Sequence, residues 1–200
     1  MSSNSRRLDS VCVYCSSSNA AAPSYLAAAD QLGTILANEG LRLVYGGGGV
    51  GLMGACARAA HAAGGRVLGI IPHFLTSHER PLKTVETIVV NSMHERKMML
   101  FEESDAFAIL PGGIGTLEEV VELLSWRRLG LHAKPIVFLN LDHFWDPMFE
   151  LLQHILDQNL VPPEFAEVWT SVDKVEDILP AMRSMPTLAF TTPPGVEEMT

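Results

Sequence analysis

The sequence predicts an α/β protein with a Rossmann-like fold, in which helices cover both faces of a mainly parallel sheet. Short apolar runs alternate with longer helical segments along the chain, and this alternation is typical of βαβ units. The runs are continuous rather than interrupted by polar residues, as in strands that are buried on both faces. Turns rich in glycine or serine follow three of the strands, at the edge where such sheets bind ligands.

The first half of the chain contains predicted strands that alternate with alanine-rich helices. Each strand is a short apolar run, and the three runs cover residues 11–14, 41–45 and 66–71. The first helix covers residues 21–38 and ends before Gly40, and the second runs from a glycine-rich turn at 46–54 to about residue 63. The polar segment 74–86 is predicted to be irregular.

The second half continues the same alternation. Its predicted strands cover residues 87–90, 106–110, 135–140 and 168–172. Its predicted helices cover residues 93–103, a segment that begins at Thr116, and residues 149–159 and 175–185. The Thr116 helix carries apolar residues on more than one side, so it either lies deep in the domain or contacts a second copy of the chain along one flank, and we favour a homodimer.

Composition restricts the class of partner. The 200 residues fit a single domain at 10–186, between a disordered leader at 1–9 and a flexible tail at 187–200. With 23 acidic and 14 basic residues, the net charge of −9 argues against nucleic acid as a partner. No apolar stretch is long enough for a membrane span, and three cysteines are too few for a disulfide scaffold, so we expect a cytoplasmic protein.

The stretch 110–119 (LPGGIGTLEE) predicts a phosphate site, because a strand ends there in a glycine turn and a helix follows. Gly112, Gly113 and Gly115 let the backbone approach a ligand closely. Thr116 is predicted to cap the helix, whose first N–H groups would then bind an anion. Glu119 places a carboxylate beside that anion, either for chemistry or as the second member of a capping box with Thr116.

Two other turns are candidates for the same ligand. The glycine-rich turn contains weak G-x-G-x-x-G matches, and Gly47 and Gly48 either contact a ligand or allow close packing of a helix on the sheet. The serine turn that follows the first strand, with Ser17 at its centre, either lines a crevice or only caps a helix.

Arg96 shares a face of its helix with apolar residues, so its guanidinium either belongs to a ligand site or extends from the core into water. An arginine and a carboxylate beside a bound phosphate, without a predicted metal site, suit the cleavage of an N-glycosidic bond. Positive charge develops on the ribose as the base leaves, and Glu119 would stabilise that charge or orient the attacking water.

The segments GGGVGLMG (47–54), MHERK (93–97) and PGGIGTLEE (111–119) resemble the LONELY GUY (LOG) family of cytokinin-activating enzymes. The resemblance implies a Rossmann-like dimer that hydrolyses cytokinin riboside 5'-monophosphates without a metal or cofactor. It makes Arg96 and Glu119 catalytic. Ligand contacts are implied for Lys97, for the turn Gly112, Gly113, Ile114, Gly115 and Thr116, and for Ser125, with Glu79 as the nearest match to an acidic ligand residue.

Two alternatives to this activity remain at this point. One is a carrier of a phosphorylated, nucleotide-like ligand, as in molybdenum cofactor carriers, and the other is an enzyme that acts on AMP generally. Met53, Met93, Met98 and Met99 either form an apolar wall for a prenyl group or simply fill the core. A lysine decarboxylase would need a Schiff-base lysine for pyridoxal phosphate, and Lys83, Lys97, Lys134 and Lys174 lie in no recognisable context for one.

Overall fold

The computed structural model describes residues 7–186 and confirms a Rossmann-like α/β fold. Its seven strands form one sheet in the order β4-β3-β2-β1-β5-β6-β7, and every neighbouring pair is parallel. The strands are β1 (Ser10–Tyr14), β2 (Arg42–Tyr45), β3 (Val67–Pro72), β4 (Glu86–Val90), β5 (Ala106–Ile109), β6 (Ile136–Leu139) and β7 (Thr170–Val172).

Seven α-helices occur among the described residues. They are α1 (Pro23–Asn38), α2 (Gly51–Ala62), α3 (Thr76–Glu79), α4 (Met93–Glu102), α5 (Ile114–Arg128), α6 (Asp146–Asp157) and α7 (Ile178–Ser184). None is long and apolar enough to cross a membrane.

Three predictions about local structure were wrong. Segment 74–86 is not wholly irregular, because it contains α3, whose end is tied to the glycine-rich turn by a hydrogen bond from Gly49 N to Glu79 O (2.7 Å). Helix α6 begins at Asp146, three residues before the predicted start, with Pro147 in its first turn. Residues 7–9 are not a disordered leader, since Leu8 is buried and Asp9 N donates to Asp105. The rest of the leader and the tail lie outside the described residues.

The core consists of two apolar layers, one on each face of the sheet. Successive residues of a strand point to opposite faces, so Cys12 and Tyr14 lie in one layer, while Val13 and Cys15 lie in the other. Helices α1, α2 and α7 cover the second of these faces, and α4, α5 and α6 cover the first. The burial of every residue of β1 explains why the sequence shows continuous apolar runs.

The sheet has a switch point between β1 and β5, because the chain builds outwards from β1 in one direction and then in the other. The loops after these two strands leave the sheet at the same edge and diverge, which opens a crevice between them. Ser16 N donates to Pro111 O (3.2 Å) across the base of this crevice. The fold therefore brings the serine turn and the PGGIGT turn together.

Candidate active site

A cavity of about 330 Å³ lies at the switch point, at the lower end of the size range of small-molecule sites. Its walls come from the loops after β1, β2 and β5, from α3 and α4, and from the first turns of α5. The predicted site residues that line it are Ser17, Glu79, Arg96, Gly113, Ile114, Gly115, Thr116 and Glu119. Five of the predicted ligand contacts, described below, lie outside this lining.

Arg96 is anchored in the cavity wall by the ends of two strands. Its Nε donates to the carbonyl of Ile70 (3.3 Å) and its Nη2 donates to the carbonyl of Gly46 (3.1 Å). A side chain at Gly46 would fall on the guanidinium, so the close approach requires glycine. The residue is only 6% exposed. The guanidinium is therefore not in water, and the alternative of an arginine that extends into solvent is wrong.

Glu119 faces Arg96 from the second turn of α5. Its Oε1 lies 3.8 Å from Arg96 Nη1, and both side chains are almost completely buried. Burial raises the pKa of the Glu119 carboxyl from 4.5 to about 7; Arg96 and Lys97 lower this pKa, while Glu118 and Glu79 raise it. A carboxyl with a pKa near neutrality, beside a fixed cation in a cavity, is typical of acid–base and charge-stabilising groups.

Helix α5 begins at Ile114 rather than at Thr116, with Gly113 as its N-cap. The prediction that Thr116 caps the helix was therefore wrong, and Thr116 and Glu119 do not stand in the N-cap and N3 positions of a capping box. Because the first N–H groups of a helix have no partner within it, those of Ile114, Gly115 and Thr116 are free to meet a ligand. The cavity is lined by these residues, as expected for an anion site.

The glycine-rich turn that precedes α2 has a different role. The N–H groups of Leu52 and Met53 donate to Ser16 O (2.9 and 3.3 Å), and that of Gly51 donates to Asn19 Oδ1 (2.9 Å). The first turn of α2 is thus occupied by the serine turn of the protein itself. Gly47 (φ 79°) and Gly48 lie outside the cavity lining, which favours the packing alternative for these two glycines.

Glu79 was the least specific of the sequence predictions, yet α3 places it in the cavity wall. Its Oε2 is buried and accepts no hydrogen bond from any described residue. Burial raises the pKa of the Glu79 carboxyl, while Arg96 and His78 lower it. A buried acceptor without a donor, at the surface of a cavity, is an arrangement that a ligand hydroxyl or amine would satisfy.

Three further predicted contacts lie outside the cavity. Lys97 Nζ binds the carboxylates of Glu118 (2.6 Å) and Glu122 (3.0 Å) on the outer side of α5. Gly112 lies beneath the side chain of Thr116. Ser125 donates to Val121 O (2.8 Å), and nine residues separate it from Thr116, about 13 Å along the helix.

The structure also adds cavity residues that the sequence did not single out as ligand contacts. These are Val13, Tyr14, Cys15 and Gly46. Ser16 and Ser18 also line the cavity, and they belong to the serine turn that was expected either to line a crevice or only to cap a helix. Met53 also lines the cavity, as one alternative proposed, whereas Met93, Met98 and Met99 do not.

The parallel sheet with helices on both faces and a cavity at its switch point places the protein in the Rossmann-like class. Residues 53–182 match the family model described as possible lysine decarboxylase. A probable cytokinin riboside 5'-monophosphate phosphoribohydrolase of Oryza sativa subsp. japonica is 43% identical over 182 residues, which cover 87% of this chain and 80% of that one. The chain therefore belongs to this family, which includes the LOG enzymes.

Further comparisons agree with this assignment. The cytokinin riboside 5'-monophosphate phosphoribohydrolase LOG7 of Arabidopsis thaliana is 38% identical over 180 residues, covering 90% of this chain and 83% of the relative. Among solved structures, the molybdenum cofactor binding protein of Rippkaea orientalis matches with a TM-score of 0.67 at 29% identity, over 90% of this chain and 98% of the other. The molybdenum cofactor carrier protein of Chlamydomonas reinhardtii, at 23% identity and a TM-score of 0.69, shares the fold.

The decarboxylase description of the family model does not match the cavity. A pyridoxal phosphate enzyme needs a lysine that forms a Schiff base with the cofactor. No lysine lines the cavity formed by residues 7–186, where Lys97 is held by two carboxylates and Lys134 Nζ donates to Phe101 O (2.7 Å). In the same part of the chain, no group of three or more His, Cys, Asp or Glu side chains is placed to hold a metal ion.

Proposed function

We propose that the protein hydrolyses the N-glycosidic bond of cytokinin riboside 5'-monophosphates, which are N6-substituted AMP, to free cytokinin base and ribose 5-phosphate. The single observation that carries this proposal is the buried Arg96–Glu119 pair, which lies in the wall of a cavity that the N-terminus of α5 also lines. Relatives with this activity in their names cover most of the chain.

The phosphate of the substrate would bind at the start of α5. Free N–H groups at Ile114, Gly115 and Thr116, together with the positive end of the helix dipole, favour an anion there. The net charge of −9 does not oppose this, because backbone groups rather than side-chain cations make the site. A phosphate held there fixes the ribose at the level of Glu119, about one helical turn further along.

Hydrolysis breaks the bond between C1′ of the ribose and the purine nitrogen. Positive charge develops on the ribose ring as the electron pair of that bond leaves with the base, and an ionised Glu119 would stabilise it. Water then adds its oxygen to C1′, and the proton that it loses ends on the purine. Arg96 would keep Glu119 ionised, since its positive charge lowers the pKa of that carboxyl. Ser17 and Glu79 line the same cavity and would contact the ribose or the base.

Met53 supports a base that carries an apolar substituent. Its flexible thioether lies in the cavity wall and adapts to ligands of different shape. A general AMP-hydrolysing enzyme would share Arg96, Glu119 and the phosphate site, and would differ only in this part of the cavity.

A carrier that binds a nucleotide-like ligand without turnover is the second candidate, favoured by the likeness to a molybdenum cofactor binding protein. Glu119 argues against it. A carboxylate whose ionised form is destabilised by burial brings no benefit to a protein that only binds a phosphorylated ligand. The enzyme is therefore the better supported candidate.

Incubation of the protein with isopentenyladenosine monophosphate, AMP and GMP, followed by chromatography of the released base, separates these candidates. Base released mainly from isopentenyladenosine monophosphate supports the proposal, and comparable release from AMP identifies the general enzyme. Binding of the nucleotides without release of any base supports the carrier.

The quaternary state and location are proposed on different grounds. Ile114 (84% exposed) and Val121 (52% exposed) lie seven residues apart on one side of α5, and such an apolar surface suits a homodimer contact. Ser125 lies on the same side, four residues after Val121, so it would contact only a ligand that is bound to the second copy of such a dimer.

A cytoplasmic location would suit the three free cysteines, all of which are buried.

A further inference from the structure

Lys97 forms a clamp between α4 and α5, which we define as its paired contacts with Glu118 and Glu122. Its Nζ lies 2.6 Å from Glu118 Oε1 and 3.0 Å from Glu122 Oε1, and only 13% of its side chain is exposed. Burial lowers the pKa of Lys97, but the hydrogen bonds to the two carboxylates outweigh burial and raise it overall. The lysine is therefore charged throughout the neutral range, and it crosslinks the two helices that carry Arg96 and Glu119.

The clamp surrounds Glu119 in the sequence and in space. Glu118 directly precedes Glu119, and Glu122 follows it by nearly one turn, so the clamp fixes the turn of α5 from which Glu119 projects. Several ionisable groups interact electrostatically with Glu119. They are Arg96 and Lys97 on α4, Glu118 on α5, Glu79 on α3, and Cys12, Tyr14 and Cys15 on and just after β1.

We infer that Lys97 is a positioning residue for Glu119: its clamp holds α5 against α4 and neutralises Glu118 and Glu122. Compensation of these charges favours the ionised form of the Glu119 carboxyl. Without Lys97, the negative charge of Glu118 would act on the buried Glu119 carboxyl with no cation beside it, and Glu122 would lose the same cation. Like charges disfavour ionisation of a neighbouring acid. This role differs from that of a ligand contact, because the Lys97 ammonium already has two carboxylate partners and lies outside the cavity lining.

The inference rests on the proposed function, since it treats Glu119 as the group that titrates during turnover. Its test therefore has a readout that needs no substrate. The carboxyl carbon of Glu119, in protein labelled with ¹³C-glutamate, is titrated by NMR and assigned by its absence in Glu119→Gln. The titration of Glu119 should move to higher pH by roughly one pH unit in Lys97→Met and to lower pH in Glu118→Gln.

Activity provides the second readout. In Lys97→Met, the acidic limb of kcat/KM should move in the same direction, so that kcat/KM at pH 6 falls roughly tenfold while the plateau at high pH is retained. Lys97→Arg should restore the limb, because a guanidinium can bind both carboxylates. Lys174→Met is the matched control, since it removes an exposed lysine that is distant in the fold and should leave both titrations unchanged.

The experiments test the role of Lys97 separately from the hydrolysis of the nucleotide. An unchanged Glu119 titration in folded Lys97→Met would overturn the inference, whatever happens to activity. A raised KM with an unmoved acidic limb would also overturn it and would make Lys97 a ligand contact. If the wild-type protein releases no base from any nucleotide, the proposed function fails, while the NMR titration still decides whether Lys97 controls the ionisation of Glu119.

Discussion

Glu119 is buried, yet the proposed function requires its carboxyl group to be ionised, and these two properties rarely occur together. Burial raises the pKa of its carboxyl to about 7, and the nearby Arg96 keeps the ionised form accessible. The hydrogen bonds from Arg96 to the carbonyls of Ile70 and Gly46 hold the cation in place without a second carboxylate. The field at C1′ of a bound substrate would therefore exist before the substrate arrives, which is the arrangement that favours catalysis.

The pH dependence of turnover follows from this carboxyl. If the ionised form stabilises the transition state, kcat/KM rises with pH and levels off above a pKa of about 7, falling roughly tenfold for each pH unit below it. Initial rates of base release at low substrate concentration, measured from pH 5 to pH 9, test this. An activity that is highest at low pH and falls above pH 7 would mean that Glu119 acts in its protonated form.

The same carboxyl should make the protein less stable at neutral pH than it would be without it. A raised pKa in the folded state means that stability is lost as the pH rises from the unfolded value of 4.5 to about 7. Glu119→Gln removes this titration, so the variant should exceed the wild type by up to about 3 kcal/mol at pH 8 and match it at pH 4. Urea unfolding of both proteins at the two pH values measures the difference, and a difference between variant and wild type that is the same at pH 4 and pH 8 would contradict the raised pKa.

At the scale of single elements, the first turn of α5 is where proposed phosphate binding can be tested without a change in the packing of the fold. Gly113 and Gly115 line the cavity, and a methyl group at either position would meet no atom within 4 Å apart from the adjacent residues and the backbone of the same helix. Both have backbone angles that alanine adopts, so that a substitution changes the ligand space and not the fold. The glycines of the other turn are different, because a side chain at Gly46 would fall on Arg96.

Gly113→Ala and Gly115→Ala should therefore keep the melting temperature of the wild type, while kcat/KM for the monophosphate falls roughly tenfold or more. The riboside without phosphate is the internal control. Its turnover should already be low, since the phosphate supplies binding energy that is used at the ribose, and these variants should not lower it further. An equal kcat for riboside and monophosphate in the wild type would contradict the phosphate site.

The elements also indicate what could be predicted from sequence. Buried strands such as β1 and β5 were found because they contain continuous apolar runs, 11–14 in β1 and all of β5, and the order of turns along the chain placed the site at one edge of the sheet. The N-cap of α5 was misplaced by three residues, because Thr116 is a good capping residue but the turn already ends in helical geometry at Ile114, after Gly113. Short α3 carries no periodic apolar signal, and therefore the position of Glu79 depended on tertiary contacts.

Long-range contacts explain the remaining differences in the site. Glycine-rich turns look alike in sequence, yet the turn before α2 binds the serine turn through Gly51, Leu52 and Met53, and only the turn before α5 remains open. Which of two similar turns is filled by the protein itself depends on residues that are distant in sequence. Lys97 was predicted as a ligand contact for the same reason, since its partners Glu118 and Glu122 lie on another helix.

At the scale of the whole molecule, most of the apolar surface of α5 is explained by the core. Val120, Leu123 and Leu124 are buried against the sheet, and Leu117 and Trp126 pack at the edge of that layer. Val121 and Ile114 remain exposed on the side of α5 that a partner would cover, and Ile114 also lines the cavity. A second copy on this surface would lie next to the mouth of the site.

Val121→Glu should consequently shift the protein towards the monomer, because a charge in the centre of a small apolar contact is costly to bury. Light scattering coupled to size-exclusion chromatography measures the mass directly. Leu151→Glu, on the exposed side of α6, is the matched control and should leave the mass unchanged. A wild-type protein that is monomeric at micromolar concentration would contradict the dimer.

In the proposed function, the ionised carboxylate of Glu119 stabilises the positive charge on the ribose while the glycosidic bond breaks in this cavity. The most direct measurement is the rate at which free base is released from isopentenyladenosine monophosphate by the wild type, by Glu119→Gln and by Glu150→Gln, which alters an exposed glutamate of α6. We predict that Glu119→Gln remains folded, still binds the nucleotide and loses hydrolysis by a factor of roughly 10² or more, while Glu150→Gln behaves as the wild type. Release of base by Glu119→Gln at close to the wild-type rate would contradict the claim.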